Sequence, residues 1–85
     1  SLVMVEKELL ELIACPETHQ PLHEASPALL ARLNERIARG ELANRSGTVL
    51  RVPLVEALVR EDERVLYAVL DGIPMLIVEE GVEIA

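Results

Sequence analysis

The first third of the chain has apolar residues at helical spacing. Between residues 5 and 14, Leu9 and Ile13 lie four positions apart and therefore share one face of a helix. Pro16 disfavours helical geometry in the residue before it, so this helix is predicted to end near Cys15.

A second helix has clear start and stop signals. Ser26 is a favoured N-cap residue, and Pro27 suits the first helical position. Leu33 and Ile37 repeat at helical spacing and form the apolar stripe. Gly40 is a natural residue just past the C-terminus of a helix, so we predict a helix that ends there.

Short apolar and β-branched runs predict strands in most of the remaining chain. The spacing of residues 55–59 fits either a helix or a strand. Turns are predicted at residues 44–47 and 71–72, where Asn, Ser, Asp and Gly cluster. The predicted strands are residues 22–25, 48–52, 64–70 and 73–78.

The order of these elements predicts an α+β fold in one domain that spans residues 1–85. We expect a small antiparallel sheet with an N-terminal helix and an inserted central helix. The apolar runs are too short to cross a membrane, and no basic segment followed by an apolar core marks a signal peptide.

Charge and composition narrow the classes of partner. The net charge of -7 would repel a phosphate backbone, and Tyr67 is the single aromatic residue, so stacking on bases is also disfavoured. We therefore expect no direct binding to nucleic acid. Because the chain has one cysteine, it forms no internal disulfide, and a reducing, cytoplasmic location is the simplest expectation.

A metal site could involve Cys15, His19 and His23, which are spaced four residues apart and have side chains that suit zinc. Pro16 and Pro21 prevent the continuous helix that would align the three side chains. A buried cysteine with two surface histidines is the simpler interpretation.

The sequence carries no clear catalytic pattern. A nucleophile formed by Cys15 and a histidine has no evident residue to orient the base. Asp62 and Glu63 are adjacent carboxylates, but they lie in a charged turn and are expected to be solvated. The four glycines are isolated and form no phosphate-binding loop. We expect a protein that is not an enzyme and uses no cofactor.

Residues 73–78 are apolar at every position, so both faces of the predicted strand are apolar. Such a strand either lies in the middle of the core or offers one face to a partner. Pro74 cannot donate a hydrogen bond to a neighbouring strand, which favours an edge position where another chain could bind.

The two ends of the chain together resemble a known family. A helix that contains Leu9 and Leu10 runs into Cys15-Pro16, and a later strand that contains Tyr67 ends in Asp71-Gly72-Ile73-Pro74. These segments resemble the zinc-ribbon-like activator subunits of S-adenosylmethionine-dependent methyltransferases, including tRNA-methyltransferase activators, and short bacterial relatives of unsettled function. The resemblance implies a zinc-ribbon-like core with residues 26–59 as an insertion-like central segment.

The chain departs from this family at its metal ligands. The family's four ligand cysteines correspond to Cys15, Thr18, Arg60 and Glu63, so one ligand is kept and three are replaced. One thiolate does not make a structural zinc site. We therefore expect a zinc-free branch of the fold with no bound metal, in which a larger apolar core takes over the stabilising role of the ion.

The resemblance also implies a function. Activator subunits of this family are not enzymes; they cover an apolar surface on a methyltransferase and keep it active. By this resemblance, the expected partner is a methyltransferase subunit. The alternative is a structural protein that forms a homodimer through the same strand. The expected partner-binding residues are Ile73, Met75 and Leu76, with Leu9 and Ile13 as weaker candidates.

Overall fold

The computed structural model of the chain describes residues 14–85. Most of the predicted first helix, including Leu9 and Ile13, lies outside the described residues. No helix within residues 14–85 has the length and apolar character needed to cross a membrane.

Five strands form one antiparallel sheet. The strand order is β1-β2-β3-β4. β4 pairs with the C-terminal end of β3, and β5 pairs with the N-terminal end of β3 on the same side. β3 is thus the central strand, with β2 on one side and two short strands on the other. The strands are β1 (Leu22–Glu24), β2 (Glu56–Arg60), β3 (Val65–Leu70), β4 (Ile73–Pro74) and β5 (Val82–Glu83).

The predicted central helix is present as α1 (Pro27–Ala38), between β1 and β2 in the chain. The hydroxyl of Ser26 accepts a hydrogen bond from the backbone N–H of Leu29 at 3.1 Å and caps the helix. Leu33 and Ile37 are buried, as the stripe predicted. Gly40 follows the helix with a φ of 70°, a left-handed conformation that favours glycine.

Both faces of the sheet are covered by apolar side chains, because alternate residues of a strand point to opposite faces. One face packs against α1 and the loops that follow it. The other face carries Tyr67 and packs against Cys15. The buried residues of the first face are Leu33, Ile37, Leu42, Leu54, Ala57, Val59, Leu66 and Val82, and those of the second are Cys15, Leu22, Leu58, Val65, Tyr67 and Val69.

The turn between β3 and β4 is formed as predicted. Asp71 has a φ of 53° and Gly72 a φ of 78°, and Leu70 pairs directly with Ile73 across them. Two consecutive positive φ values are typical of the tight hairpin turn that suits the twist of antiparallel strands, and Asp-Gly is a preferred sequence for it.

The prediction of one strand over residues 73–78 is wrong. Pairing in β4 ends at Pro74, apart from one hydrogen bond from the N–H of Met75 to the carbonyl of Ala68 at 2.9 Å. The chain then forms a 3-10 helix (Val78–Glu80) and returns as β5, which the sequence did not predict. Because Pro74 has no N–H, it cannot extend the ladder of hydrogen bonds.

The predicted strand at residues 48–52 is also wrong. Only an isolated bridge between Ala43 and Val49 forms, closed by the predicted turn at residues 44–47. The side chain of Asn44 accepts a hydrogen bond from the N–H of Thr48 and holds this turn. Val52 is exposed and meets no neighbouring strand among the described residues. Residues 55–59, left open between helix and strand, correspond to β2.

These elements make an α+β fold with one helix and a curled antiparallel sheet in the described part of the chain.

Candidate functional site

Two tight turns meet beside Tyr67. In the first, the N–H of His19 donates to the carbonyl of Cys15 at 2.8 Å, and in the second the N–H of Glu63 donates to the carbonyl of Arg60 at 2.7 Å. His19 and Glu63 have φ values of 63° and 61°, so each turn closes through a residue in the left-handed region. The two turns contain Cys15, Thr18, Arg60 and Glu63, the four positions that the resemblance implies for zinc ligands.

A guanidinium group lies between these turns. Nη1 of Arg60 is 3.9 Å from Sγ of Cys15, so two of the four corresponding positions are in contact. Thr18 and Glu63 are exposed. No cluster of three or more His, Cys, Asp or Glu side chains within residues 14–85 is placed to hold a metal ion.

Arg60 is 8% exposed and is fixed by two carboxylates. Asp62 contacts it at two points, with Nε to Oδ1 at 2.9 Å and Nη2 to Oδ2 at 2.8 Å. Glu17 accepts from its Nη1 at 3.2 Å. The hydrogen bonds that Arg60 donates to Asp62 outweigh the effect of burial and raise the pKa of Arg60, so the group remains a cation.

Arg60 has the opposite effect on its partner: its hydrogen bonds to Asp62 lower the pKa of that carboxyl to about 2. The backbone N–H of Arg64 also donates to Oδ1 of Asp62 at 3.1 Å.

The Cys15 thiol and the Tyr67 hydroxyl lie 3.0 Å apart, and either group can donate the hydrogen bond. Both residues are fully buried. Burial alone would raise the pKa of Cys15. Hydrogen bonds with the hydroxyl of Tyr67 and with the backbone of Thr18 and Glu17 have the larger, opposite effect and lower the pKa to about 7. Burial and the nearby sulfur raise the pKa of Tyr67, so its hydroxyl keeps its proton.

Glu17 connects this cluster to a second arginine. Its Oε1 lies 2.7 Å from Nη1 of Arg45 and 3.2 Å from Nη1 of Arg60, so one oxygen is shared by two cations. The contact with Arg45 lowers the pKa of Glu17. Arg45 also approaches Glu83 at 3.5 Å.

This arrangement fits a structural role better than nucleophilic catalysis. The sulfur of Cys15 is inaccessible to solvent. The side chains of Tyr67, Arg60 and Thr18 lie near it, and none of these groups is a base at neutral pH. His19 and His23 are exposed, and neither is hydrogen-bonded to the sulfur. The three candidate metal ligands are therefore not brought together.

The expected partner-binding residues have different environments. Ile73 is 63% exposed at the start of β4. Met75 and Leu76 are half-buried, and Leu76 packs against the cluster around Tyr67. Leu9 and Ile13 lie outside the described residues.

The structure adds two exposed apolar residues beside Ile73. Leu70 is its pairing partner and is 55% exposed. Glu56 pairs with Val69, so the same register places Val55 next to Leu70, and Val55 is 80% exposed. We name Val55, Leu70 and Ile73 the apolar row. The Asp71-Gly72 turn signal in the sequence is enough to place Leu70 opposite Ile73. The sequence does not show how β2 aligns with β3, so Val55 could not be placed beside Leu70.

The apolar row lies on the sheet face that also carries α1, at the end of the sheet beyond the buried residue Ala57. The exposed apolar strip thus consists of Leu70 on β3, Ile73 on β4 and Val55, the residue just before β2. Such a strip marks an interaction surface more often than scattered apolar residues do.

Comparisons with known proteins give one informative match. No model of a protein family matches the chain, and no curated protein matches it. A solved structure, the solution NMR structure of XF2673 from Xylella fastidiosa, is 32% identical, with a TM-score of 0.74. The match covers 92% of this chain and 80% of XF2673. At this identity and coverage, the chain belongs to the same family as XF2673.

Proposed function

We propose that this protein is a non-catalytic subunit that binds and stabilises a partner protein through the apolar row. The observation that carries the proposal is the exposure of Leu70 and Ile73, which pair across β3 and β4, and of Val55, the residue just before β2. Burying these side chains against a partner would remove their apolar surface from water, at about 25 cal/mol per Å².

The electrostatics of the chain support a partner surface with a basic rim. The net charge is -7, and Asp71 lies directly between Leu70 and Ile73 in the hairpin turn. Apolar contact at the centre with charged groups at the edge is the usual composition of a protein interface.

We further propose that the partner is an S-adenosylmethionine-dependent methyltransferase. Support for this partner class comes from the resemblance of Cys15-Pro16 and Asp71-Gly72-Ile73-Pro74 to the activator subunits. In this interpretation the core is a zinc-ribbon-like fold without zinc, and the ion pair of Arg60 with Glu17 links the turns that a metal would otherwise join.

The test is affinity capture from a cell lysate with the intact chain, followed by mass spectrometry. A methyltransferase recovered in stoichiometric amount is the expected result. Ile73→Asp should abolish the recovery because a carboxylate would be placed in the apolar contact. Val52→Asp is the matched control, since Val52 is 73% exposed but lies outside the row.

Two outcomes would contradict this proposal. Equal capture by the Ile73→Asp and wild-type chains would move the interface away from the row. A captured protein without a methyltransferase domain would remove the partner class and leave the binding role.

A homodimer through the apolar row is the second candidate function. The position of the row at one end of the sheet favours a homodimer, because the apolar rows of two copies could pack against each other around a two-fold axis. Sedimentation of the purified protein distinguishes the two functions: a dimer that Ile73→Asp converts to monomer supports self-association, whereas a monomer supports a different partner.

A further inference from the structure

Three arginines converge on one shallow cleft of about 200 Å³. Arg45, Arg60 and Arg64 line it, together with Val65, Glu83 and Ala85. The chain has 8 lysines and arginines and a net charge of -7, so three arginines around one cleft form a local concentration of cations. Arg45 and Arg60 are paired with carboxylates, which leaves Arg64 as the cation of the three with no ion pair shown within residues 14–85. Because a water molecule takes about 30 Å³, the cleft has room for a small anionic group with some of its water.

The carboxylates that hold these arginines are already engaged. Both oxygens of Asp62 accept from two donors each, including Arg60. Glu17 places Oε1 on Arg45 and Arg60 together. These contacts hold the guanidinium groups of Arg45 and Arg60 in position, which lowers the cost of arranging them around a ligand.

Arg45 has one end of its guanidinium fixed. Its Nη1 is buried and lies 2.7 Å from Oε1 of Glu17, so this nitrogen is committed to that carboxylate. An incoming acceptor would therefore bind to the part of the Arg45 side chain that lines the cleft.

Glu83 is the one acidic side chain in the cleft lining. It meets Nε of Arg45 at 3.5 Å and is 71% exposed, so this contact is long and open to water. Exposed ion pairs of this kind contribute little free energy, and a better anion can displace them.

We propose that this arginine cleft binds one oxyanionic group, either a phosphate or a carboxylate, and that Glu83 competes with it for Arg45. Arginine suits both groups because its planar guanidinium donates two parallel hydrogen bonds to two oxygens. Arg64 supplies an exposed guanidinium at the entrance, and Arg45 supplies a fixed one.

The test is a titration of the ¹⁵N-labelled intact chain with inorganic phosphate, and separately with acetate, at constant ionic strength. The arginine Nε–Hε resonances are followed by NMR. Saturable shifts of the Arg45 and Arg64 resonances support the proposal. Saturation with phosphate alone identifies a phosphate ligand, and saturation with acetate identifies a carboxylate.

Two variants with opposite expected effects sharpen the test. Arg64→Gln removes a charged donor and should weaken binding about tenfold. Glu83→Gln removes the competing carboxylate and should tighten binding roughly twofold to fivefold. Arg32→Gln and Glu35→Gln, exposed positions on α1 away from the cleft, should leave the affinity unchanged.

The proposal is overturned if neither anion gives saturable shifts. It is also overturned if Arg32→Gln weakens binding as much as Arg64→Gln, because the effect would then reflect total charge. If Glu83→Gln leaves the affinity unchanged, the competition by Glu83 is refuted.

Discussion

At the scale of single residues, Cys15 and Tyr67 form a buried pair whose two pKa values move in opposite directions. The sulfur accepts negative charge more readily than an ordinary thiol, and the phenol holds its proton more tightly. Since only the sulfur changes charge near neutral pH, it is the titrating group of the pair.

Replacing Tyr67 by phenylalanine should therefore raise the pKa of Cys15 from about 7 towards its ordinary value of 9.0, because the hydroxyl that stabilises the thiolate is lost. Thiolate absorbance near 240 nm, measured against pH, reports this value directly. An identical titration curve for wild type and Tyr67→Phe would refute the role assigned to the hydroxyl.

The folded-state pKa of Cys15 lies below the ordinary value, so the folded chain releases the thiol proton more easily than the unfolded chain. This contribution to stability is therefore complete above about pH 9 and is lost as the pH falls through about 7. The free energy of unfolding of Cys15→Ser should lack this increase between pH 7 and 9.

Asp62 makes a separate contribution at acid pH. Its pKa falls from an ordinary 3.8 to about 2 in the folded chain, so the stability that it supplies is present above pH 3.8 and is lost as the pH falls through about 2. In Asp62→Asn, the free energy of unfolding measured with denaturant should therefore depend less on pH between 3.8 and about 2. Glu61→Gln, at an exposed position in the same turn, is the matched control and should keep the pH dependence of the wild type.

At the scale of elements, the chain segment before β5 packs closely on the central strand. A Cβ atom on Gly81 would lie 3.1 Å from Cε1 of Tyr67 and 3.2 Å from Cγ1 of Val65. Gly81 has an ordinary φ of -64°, so its need for glycine comes from this close approach and not from backbone strain.

Gly81→Ala should reduce the free energy of unfolding by about 1–3 kcal/mol, the usual cost of overpacking. Val65→Ala removes one of the two contacting side chains, so the double variant should lose less stability than the sum of the single variants. Chemical denaturation of all four proteins measures this coupling. Strict additivity would contradict the packing explanation.

Elements with local signals were predictable, and those defined by distant contacts were not. Ser26 and Pro27 specify the start of α1, and Asp71-Gly72 specifies the hairpin turn, through their own backbone preferences. Residues 73–78 misled the prediction because Pro74 ends the pairing two residues into the apolar run. β5 is two residues long, too short for a periodic pattern, and depends on pairing with β3.

The candidate site was predictable only in its parts. Cys15 and Arg60 are both among the ligand positions that the resemblance implies, but their contact joins residues 45 positions apart in the chain. Tyr67 lies 52 positions from Cys15, and no local pattern links the two. Leu70 was missed because its exposure depends on how far α1 extends over the sheet.

At the scale of the whole molecule, stability should not depend on a metal. The turns that contain Cys15 and Arg60 are joined by the ion pair of Arg60 with Glu17, by the contact of Arg60 with the Cys15 sulfur and by the core around Tyr67. We expect a chelator to leave the midpoint of thermal unfolding unchanged, measured by circular dichroism. A large fall in the midpoint would reveal a structural ion.

A variant with four cysteines on the two turns tests whether the same fold can bind a metal. Thr18→Cys, Arg60→Cys and Glu63→Cys together would place four thiols on the two turns and remove the guanidinium between them. This triple variant should bind zinc and unfold at a midpoint that the chelator lowers. Failure to bind zinc would show that the turns do not converge as a tetrahedral site requires.

The complete burial of Cys15 also makes it an internal reporter of local opening. Because the chain has one cysteine, any thiol-specific reagent labels one atom, and that atom becomes reachable only when the two turns separate. The labelling rate, compared with that of the unfolded chain, then gives the free energy of this opening. If this opening free energy is smaller than the global free energy of unfolding, the turns separate locally; if the two are equal, Cys15 is exposed only when the whole sheet unfolds.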